Sequence, residues 1–239
     1  MSASAQKAKG WLVGIAVLCG IWLIQNGPGG QLIPPQPSSA QAFAAGPQLQ
    51  PGSPVAEPLN PSEPVRIRIP SIEVDAPMTR LGLAADGSLD VPPDEDRNLA
   101  GWYEDGVPPG TRGTAIVAGH VDNADGPSVF YALGALTKGT SVEVDRKDGR
   151  TAVFSIDAIE VYDNDDFPDQ RVYGDSPHAS LRLITCGGGF SKETGYQGNV
   201  VAYAHLTEVR PNHGPRPSRD PQGESPRGDP RENTGQPHP

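Results

Sequence analysis

The sequence is short of positive charge, of long apolar runs and of cysteine, and each shortage excludes something. Lys and Arg number 19 against 29 Asp and Glu, a formal charge of −10. Residues 1–64 carry two Lys and two Glu, and residues 208–239 carry five Arg and five acidic groups, so the whole excess falls on the middle of the chain. An acidic domain repels phosphate backbones, which argues against nucleic acid as a partner. The one long apolar run, Trp11–Ile24, has 14 residues, fewer than the roughly 20 of a comfortable membrane span. There is no internal repeat and no alternation of strands with crossover helices, which sets aside helical arrays and doubly wound α/β folds.

Proline is what the chain has in quantity, unevenly placed. Of 27 prolines, 10 lie in residues 26–64 and 8 in residues 211–239. Four regions follow. Residues 1–25 have the form of a targeting segment, with Lys7 and Lys9 ahead of the apolar run, an arrangement that keeps the N-terminus inside and places the rest outside. No A-x-A-like site follows the run directly; the first ones are Ala40-Gln41-Ala42 and Ala42-Phe43-Ala44, so the reading is an uncleaved signal anchor. Residues 26–64 read as a stiff, unstructured, proline-rich spacer. Residues 210–239 read as a disordered tail. Residues 65–209 are the folded domain, long enough to bury about two-thirds of the surface its unfolded chain would expose.

Cysteine is scarce in an informative way. Cys19 lies inside the apolar run, so Cys186 is the only cysteine of the exported part. A lone thiol in an oxidising compartment is an intermolecular bridge, a buried bystander or a nucleophile. Leu181–Thr185 reads as a buried strand, with Cys186 at its end before Gly187-Gly188-Gly189. Glycines there would let a substrate backbone come close. A nucleophilic thiol needs a proton partner. Of the domain's histidines, His178 falls in a loop and His205 late in a strand, where a structural histidine is the plain reading. His120 ends the strand Thr114–Ala118 beside Gly119, a setting that mirrors that of Cys186. Two strand-end residues of complementary chemistry read as a Cys–His pair.

The rest of the domain reads as β. Val65–Ile69 and Ile72–Ala76 alternate with period two on either side of Pro70. Ser141–Arg146 and Thr151–Ile156 flank a turn, and Ala158–Tyr162 continues the pattern. Short strands with frequent turns indicate a mostly β barrel or sandwich. The helical candidate is 128–137, with Val129, Leu133 and Leu136. The acidic loop Asp163–Asp169 has no recognisable metal-ligand spacing and reads as solvated.

The segments PGTRGTAIVAGHVDNADG, SLRLITCGGGF and NVVAYAHL closely resemble sortases, nearest the actinobacterial class often called class F. The resemblance implies a closed eight-stranded β-barrel with short helices and no cofactor or metal. It implies a membrane-anchored extracellular cysteine transpeptidase that cleaves an LPxTG-like sorting signal between Thr and Gly. Cys186 would be the nucleophile and His120 the general acid and base, with a thioacyl-enzyme between. Ala118, Ile184 and Thr185 would lie against the substrate. The partners implied are surface proteins bearing the signal and an amine from a cell-wall precursor or a pilin lysine.

One departure stands out. The family's third catalytic group is an Arg on the strand after the cysteine, and Tyr196-Gln197-Gly198-Asn199-Val200 holds none. Arg182, Ile184 and Cys186 share one strand face, so Arg182 is the expected replacement and Arg171 the second candidate. Two alternatives compete. An L,D-transpeptidase-like enzyme would place Ser-x-Gly-Cys before an Arg, which is not found. A surface binding module with a decayed site would show neither alkylation nor turnover.

Overall fold

The computed structural model describes residues 33–44, 52–191 and 193–212. The expected signal anchor, residues 1–25, lies outside them, as does most of the tail. Among the described residues no helix is long and apolar enough to cross a membrane.

The period-two segments become strands: β1 (Pro64–Ile69), β2 (Val74–Leu81), β3 (Ala100–Tyr103), β4 (Gly113–Ala118), the short β5 (Asp122–Asn123) and β6 (Gly126–Pro127), β7 (Ser141–Arg146), β8 (Arg150–Asp163), β9 (Ala179–Ser191) and β10 (Gly195–Pro211). Eight of them close into a barrel in the order β1-β2-β3-β4-β9-β10-β8-β7, with β5 and β6 pairing separately. The β2–β3 and β4–β9 pairs are parallel and the other barrel pairs antiparallel. The fold is the closed, mostly β barrel that the sequence predicts.

Alternation sorts the side chains. In β1, Ile67 and Ile69 point into the core, while Arg66 and Arg68 point outward to Asp75, Glu143 and Asp145 on the neighbouring strands. The strand that carries His120 is different. All six residues of β4 are buried. Ala115 and Val117 enter the barrel core, and Ile116 joins Val172, Ile184, Val201 and Tyr203 in a second cluster. A continuous apolar run suits a strand covered on both faces. Each such side chain contributes about 1.5–3 kcal/mol on burial, so β4 and β9 are held firmly.

Several expectations shift. The strand expected from Ile72 begins at Val74, because Pro70–Ile72 forms a 3-10 turn and Glu73 takes φ 57°. The strands at 151–156 and 158–162 are one, β8. The helical candidate at 128–137 contains only a 3-10 turn, Leu133–Ala135, although Val129, Leu133 and Leu136 are buried as their spacing suggests. The helix α1 is Asp169–Tyr173, starting where a solvated loop was expected. The tail begins later than 210, since β10 runs to Pro211.

The largest correction concerns the spacer, whose described parts are docked. The Pro35 carbonyl lies against Gly134, where a Cβ would approach it to 2.0 Å. Lys138 Nζ donates to Ala42 O at 2.6 Å, and Phe43 packs edge-on against Tyr203 at 5.0 Å. Further along, Ala56 N–H donates to Leu206 O at 3.0 Å and Leu59 N–H to Gly110 O at 2.8 Å. The buried guanidinium of Arg146 donates to Asn60 O and Pro109 O. Backbone carbonyls and N–H groups of the spacer thus both find partners on the folded domain.

Candidate active site

The site follows from one register. β4 and β9 run parallel with Ala118 beside Ile184, and Gly119 N–H continues the ladder to Ile184 O at 3.2 Å. The ladder ends there, and His120 and Cys186 each lie two residues beyond its last pair, at the same end of neighbouring strands. On the other side of β9, Asn199 of β10 stands directly opposite Cys186. The thiol thus has an amide-bearing residue as its register partner. Cys186 is a free, exposed cysteine. It sits inside β9 and not at its end, two residues past the point where the pairing with β4 stops, while that with β10 continues.

The glycines near the pair serve packing. A Cβ on Gly119 would meet Val129 at 2.6 Å and Phe130 at 2.7 Å. Only a bare backbone lets the chain pass those side chains and present His120, whose own carbonyl accepts from Phe130 N–H at 3.0 Å. The space beside Gly187 is filled by Val200, 2.5 Å from where a Cβ would stand. That glycine admits a neighbouring side chain and not, as the sequence suggested, a substrate backbone.

His120 is held by the β2–β3 connection. Its Nε2 lies 2.6 Å from Pro92 O and 3.4 Å from Asp94 Oδ1. A carbonyl oxygen only accepts, so Nε2 carries a proton there, and Nδ1 is the nitrogen left for proton transfer. No hydrogen bond joins His120 to Cys186 among the described residues, and such contacts commonly tighten only when substrate is present. Desolvation pushes the Cys186 thiol pKa up, and the Asp122 carboxylate adds to the shift. At rest the group is a thiol, not a thiolate.

Asp122 and Tyr196 have no counterpart in the sequence reading. Tyr196 Oη donates to Asp122 Oδ2 at 2.6 Å, and the Phe190 ring braces Tyr196 edge-on at 5.1 Å. Asp122 lies on β5 and Tyr196 on β10, so their bond ties the β5–β6 hairpin to the barrel. The pair is 74 residues apart in sequence, and no local pattern announces it.

The expected third residue is elsewhere. Arg182 shares the outward face with Ile184 and Cys186, but its guanidinium lies 4.5 Å over the ring of Tyr203. Its Nη1 donates to Leu181 O at 3.2 Å. It is 8% exposed and four residues, roughly 13 Å of strand, from the cysteine. Tyr203 is its register partner on β10, and the flat ring claims the flat cation. Arg171 pairs with Glu160 at 3.2 Å and lies over Phe43, so it too is turned away. Thr185 is 4% exposed and alternates to the face opposite Cys186, so its hydroxyl does not meet a substrate there. Ala118 and Ile184 stand on the face of Cys186.

A cavity of about 490 Å³ lies against the outward side of β4 nearer its start, lined by Leu89, Tyr103, Val107, Thr114, Ile116 and Tyr173 among others and not by Cys186 or His120. Thr114 and Ile116 precede Ala118 on the outward side of β4. In the acidic loop, Asn164 bonds Tyr196 O at 3.1 Å and receives Nδ2 of Asn199 at 3.0 Å. Among the described residues no three His, Cys, Asp or Glu side chains converge as a metal site.

A family model described as Sortase domain matches residues 67–207. Among solved structures the chain is similar to sortase A of Listeria monocytogenes, at 17% identity, covering 65% of this chain and 93% of that one with a TM-score of 0.48. It is similar to the SrtA sortase of Actinomyces oris, at 21% identity, 77% and 98% coverage and a TM-score of 0.48. Sortase E1 of Streptomyces coelicolor, solved with a tripeptide in the active site, matches at 19% identity, 66% and 95% coverage and a TM-score of 0.46. No curated protein sequence matches the chain.

Proposed function

The chain belongs to the sortase family, and from that premise we propose that it is an extracellular, membrane-anchored cysteine transpeptidase acting on LPxTG-like sorting signals. Membership makes it an enzyme of the transpeptidase type; the catalytic residues, the signal and the location are our reading. The observation that carries it is the parallel β4–β9 pairing, whose last pair lies two residues before both His120 and the free, exposed Cys186.

The chemistry follows from the groups present. The neutral Cys186 thiol gives its proton to His120 Nδ1 as the sulfur attacks the Thr carbonyl carbon. A C–S bond forms and the Thr–Gly C–N bond breaks. His120 returns the proton to the leaving amine, which leaves a thioester on Cys186. The amide of Asn199, opposite the sulfur, is placed to donate to the carbonyl oxygen as charge develops; its link to Asn164 fixes its orientation. The cavity beside Ile116 suits an apolar side chain from the part of the signal upstream of the cleaved bond. An amine then takes the acyl group, which leaves the surface protein joined to a cell-wall precursor or a pilin lysine. Residues 1–25 supply the anchor in this reading. The motifs around His120 and Cys186 support assignment to class F within the family.

The test is the intact mass of the protein mixed with LPxTG-type peptides. An adduct equal to the peptide lacking the residues after Thr, and absent in Cys186→Ala, is expected. No adduct across a broad peptide panel, with Cys186 still alkylated, overturns the choice of signal. No adduct and no alkylation favours a binding module with an inert thiol.

A further inference from the structure

We propose that Asp122, held in place by Tyr196, is the seat for the positively charged primary amine that accepts the acyl group. The proposal rests on the acyl-transfer reading above. It begins from a charge of the wrong sign. A thiol that must ionise gains from a nearby cation, yet the charged group that acts on Cys186 is a carboxylate, which hinders ionisation. Among the described residues no Lys or Arg pairs with Asp122. The first half-reaction has no use for it. The second half-reaction brings in an amine, which is a cation at neutral pH.

The placement fits that visitor. Asp122 lies two residues past His120, on the β5–β6 hairpin, and is partly buried. Its Oδ2 is occupied by the Tyr196 hydroxyl at 2.6 Å, which fixes the carboxylate while Oδ1 stays free to accept. Asp122 is two residues from His120 in the chain, and the Asp122 charge acts on Cys186, so an ammonium bound at Oδ1 is in reach of both the imidazole and the acylated sulfur. Partial burial strengthens the attraction relative to a fully solvated carboxylate. The other nearby carboxylate, Asp94, is 76% exposed and correspondingly screened.

The step balances as follows. The bound ammonium gives one proton to neutral His120 Nδ1. The freed nitrogen lone pair attacks the thioester carbon, a C–N bond forms and the C–S bond breaks. The sulfur leaves as thiolate and takes the proton from His120. The second proton of the attacking nitrogen goes to solvent. One ammonium and one thioester yield one amide, one thiol and one released proton.

The experiment acylates the full chain with sorting peptide and measures the ratio of amide product to hydrolysed peptide. That ratio is set after acylation, so it counts only folded, acylated enzyme and is not moved by slower acylation. Two nucleophiles are compared, a charged primary amine such as a lysine peptide and neutral hydroxylamine. Asp122→Asn is expected to lower the ratio for the charged amine by about tenfold or more, with hydroxylamine far less affected. Asp122→Glu, which keeps the charge, is expected to retain most of the wild-type ratio, and Tyr196→Phe to fall between. Added salt is expected to lower the wild-type ratio for the charged amine and to leave that of Asp122→Asn flat. An unchanged ratio in Asp122→Asn, or an equal loss with hydroxylamine, overturns the proposal while leaving the acyl-transfer reading intact. No thioester on Cys186 in the wild type overturns both.

Discussion

Two histidines of this barrel have nearly the same contacts and opposite prospects. His120 touches a proline carbonyl and an aspartate, Pro92 at 2.6 Å and Asp94 at 3.4 Å. His205 touches a proline carbonyl and an aspartate as well, Pro54 at 3.1 Å and Asp157 at 2.7 Å. The difference lies in which nitrogens are used. His205 spends both, Nδ1 on Asp157 and Nε2 on Pro54. Two acceptors require two N–H donors, so it is held as an imidazolium, 3% exposed, and it ties the segment before β1 to β10. His120 makes both contacts through Nε2 alone and keeps Nδ1 uncommitted, with 17% of its side chain exposed. Proton transfer needs an atom with nothing else to do. The comparison separates an imidazole that fastens from one that can exchange protons.

The largest effect expected is on chemistry. His120→Ala should lower peptide turnover about 10²–10⁴-fold, the usual worth of a positioned acid–base group, with little change in melting temperature. His205→Ala should do the reverse. It leaves Asp157 and the Pro54 carbonyl without their donors and should lower unfolding stability by about 1.5–3 kcal/mol, the range for hydrogen bonds to charged groups. Turnover per folded molecule should persist. Urea midpoints and initial rates on both variants check this, and a swap of the two phenotypes breaks the comparison.

What the sequence told of this contrast is instructive. His120 was legible because a strand-end His beside Gly119 mirrors a cysteine followed by glycines, and the parallel pairing of β4 and β9 carries both to the same end of neighbouring strands. The mostly β class was legible from the period-two alternation in segments such as β1, which left barrel and sandwich open, and the closed barrel was implied by the resemblance to sortases. His205 reads only as structural from sequence, since its partners Asp157 and Pro54 are 48 and 151 residues away. The docked spacer was illegible for a related reason. Its holds are mostly backbone groups, the carbonyls of Ala42, Pro54 and Asn60 and the N–H groups of Ala56 and Leu59, and such groups are common to nearly all residues, so composition carries no trace of them. The helix α1 is five residues long, too short for an apolar period to show. Asp122 and Tyr196 stand beside recognisable motifs, yet their meeting depends on the strand order β4-β9-β10, which neither local sequence encodes.

Titration sharpens the contrast at a smaller scale. Burial alone would lower the pKa of His205, but the bond to Asp157, its charge and the Pro54 carbonyl outweigh it, and the net shift from the ordinary 6.5 is upward. A group whose folded pKa is raised gives stability that is fully present below its unfolded pKa and is lost as pH rises through the folded one. The gap in unfolding free energy between wild type and His205→Gln should therefore be widest near pH 6 and narrow toward alkaline pH, by at most about 1.4 kcal/mol per pH unit. Urea unfolding across that range checks it. A gap that stays constant or widens with pH would mean that His205 is neutral in the folded state, and that one of its two contacts is not a hydrogen bond.

The smallest effect expected concerns a cation, and it asks whether the same rule extends beyond histidine. Arg182 lies on the face of Cys186, as alternation requires, and by position alone it is the natural partner for a developing negative charge. Its guanidinium is committed to Tyr203 and Leu181 O. It is buried without a carboxylate in hydrogen-bond contact, and desolvation pushes its pKa down. Its Nε, moreover, has no partner. Replacing it with an apolar side chain removes that desolvation cost along with the stacking. Arg182→Met should leave turnover near wild type and change stability by no more than about 1–2 kcal/mol, in either direction. Initial rates and urea midpoints measure both. A loss of turnover comparable to that of His120→Ala would mean that the guanidinium swings off Tyr203 when substrate arrives. A resting contact would then not be a commitment, and the distinction drawn between His120 and His205 would need the substrate-bound state to support it.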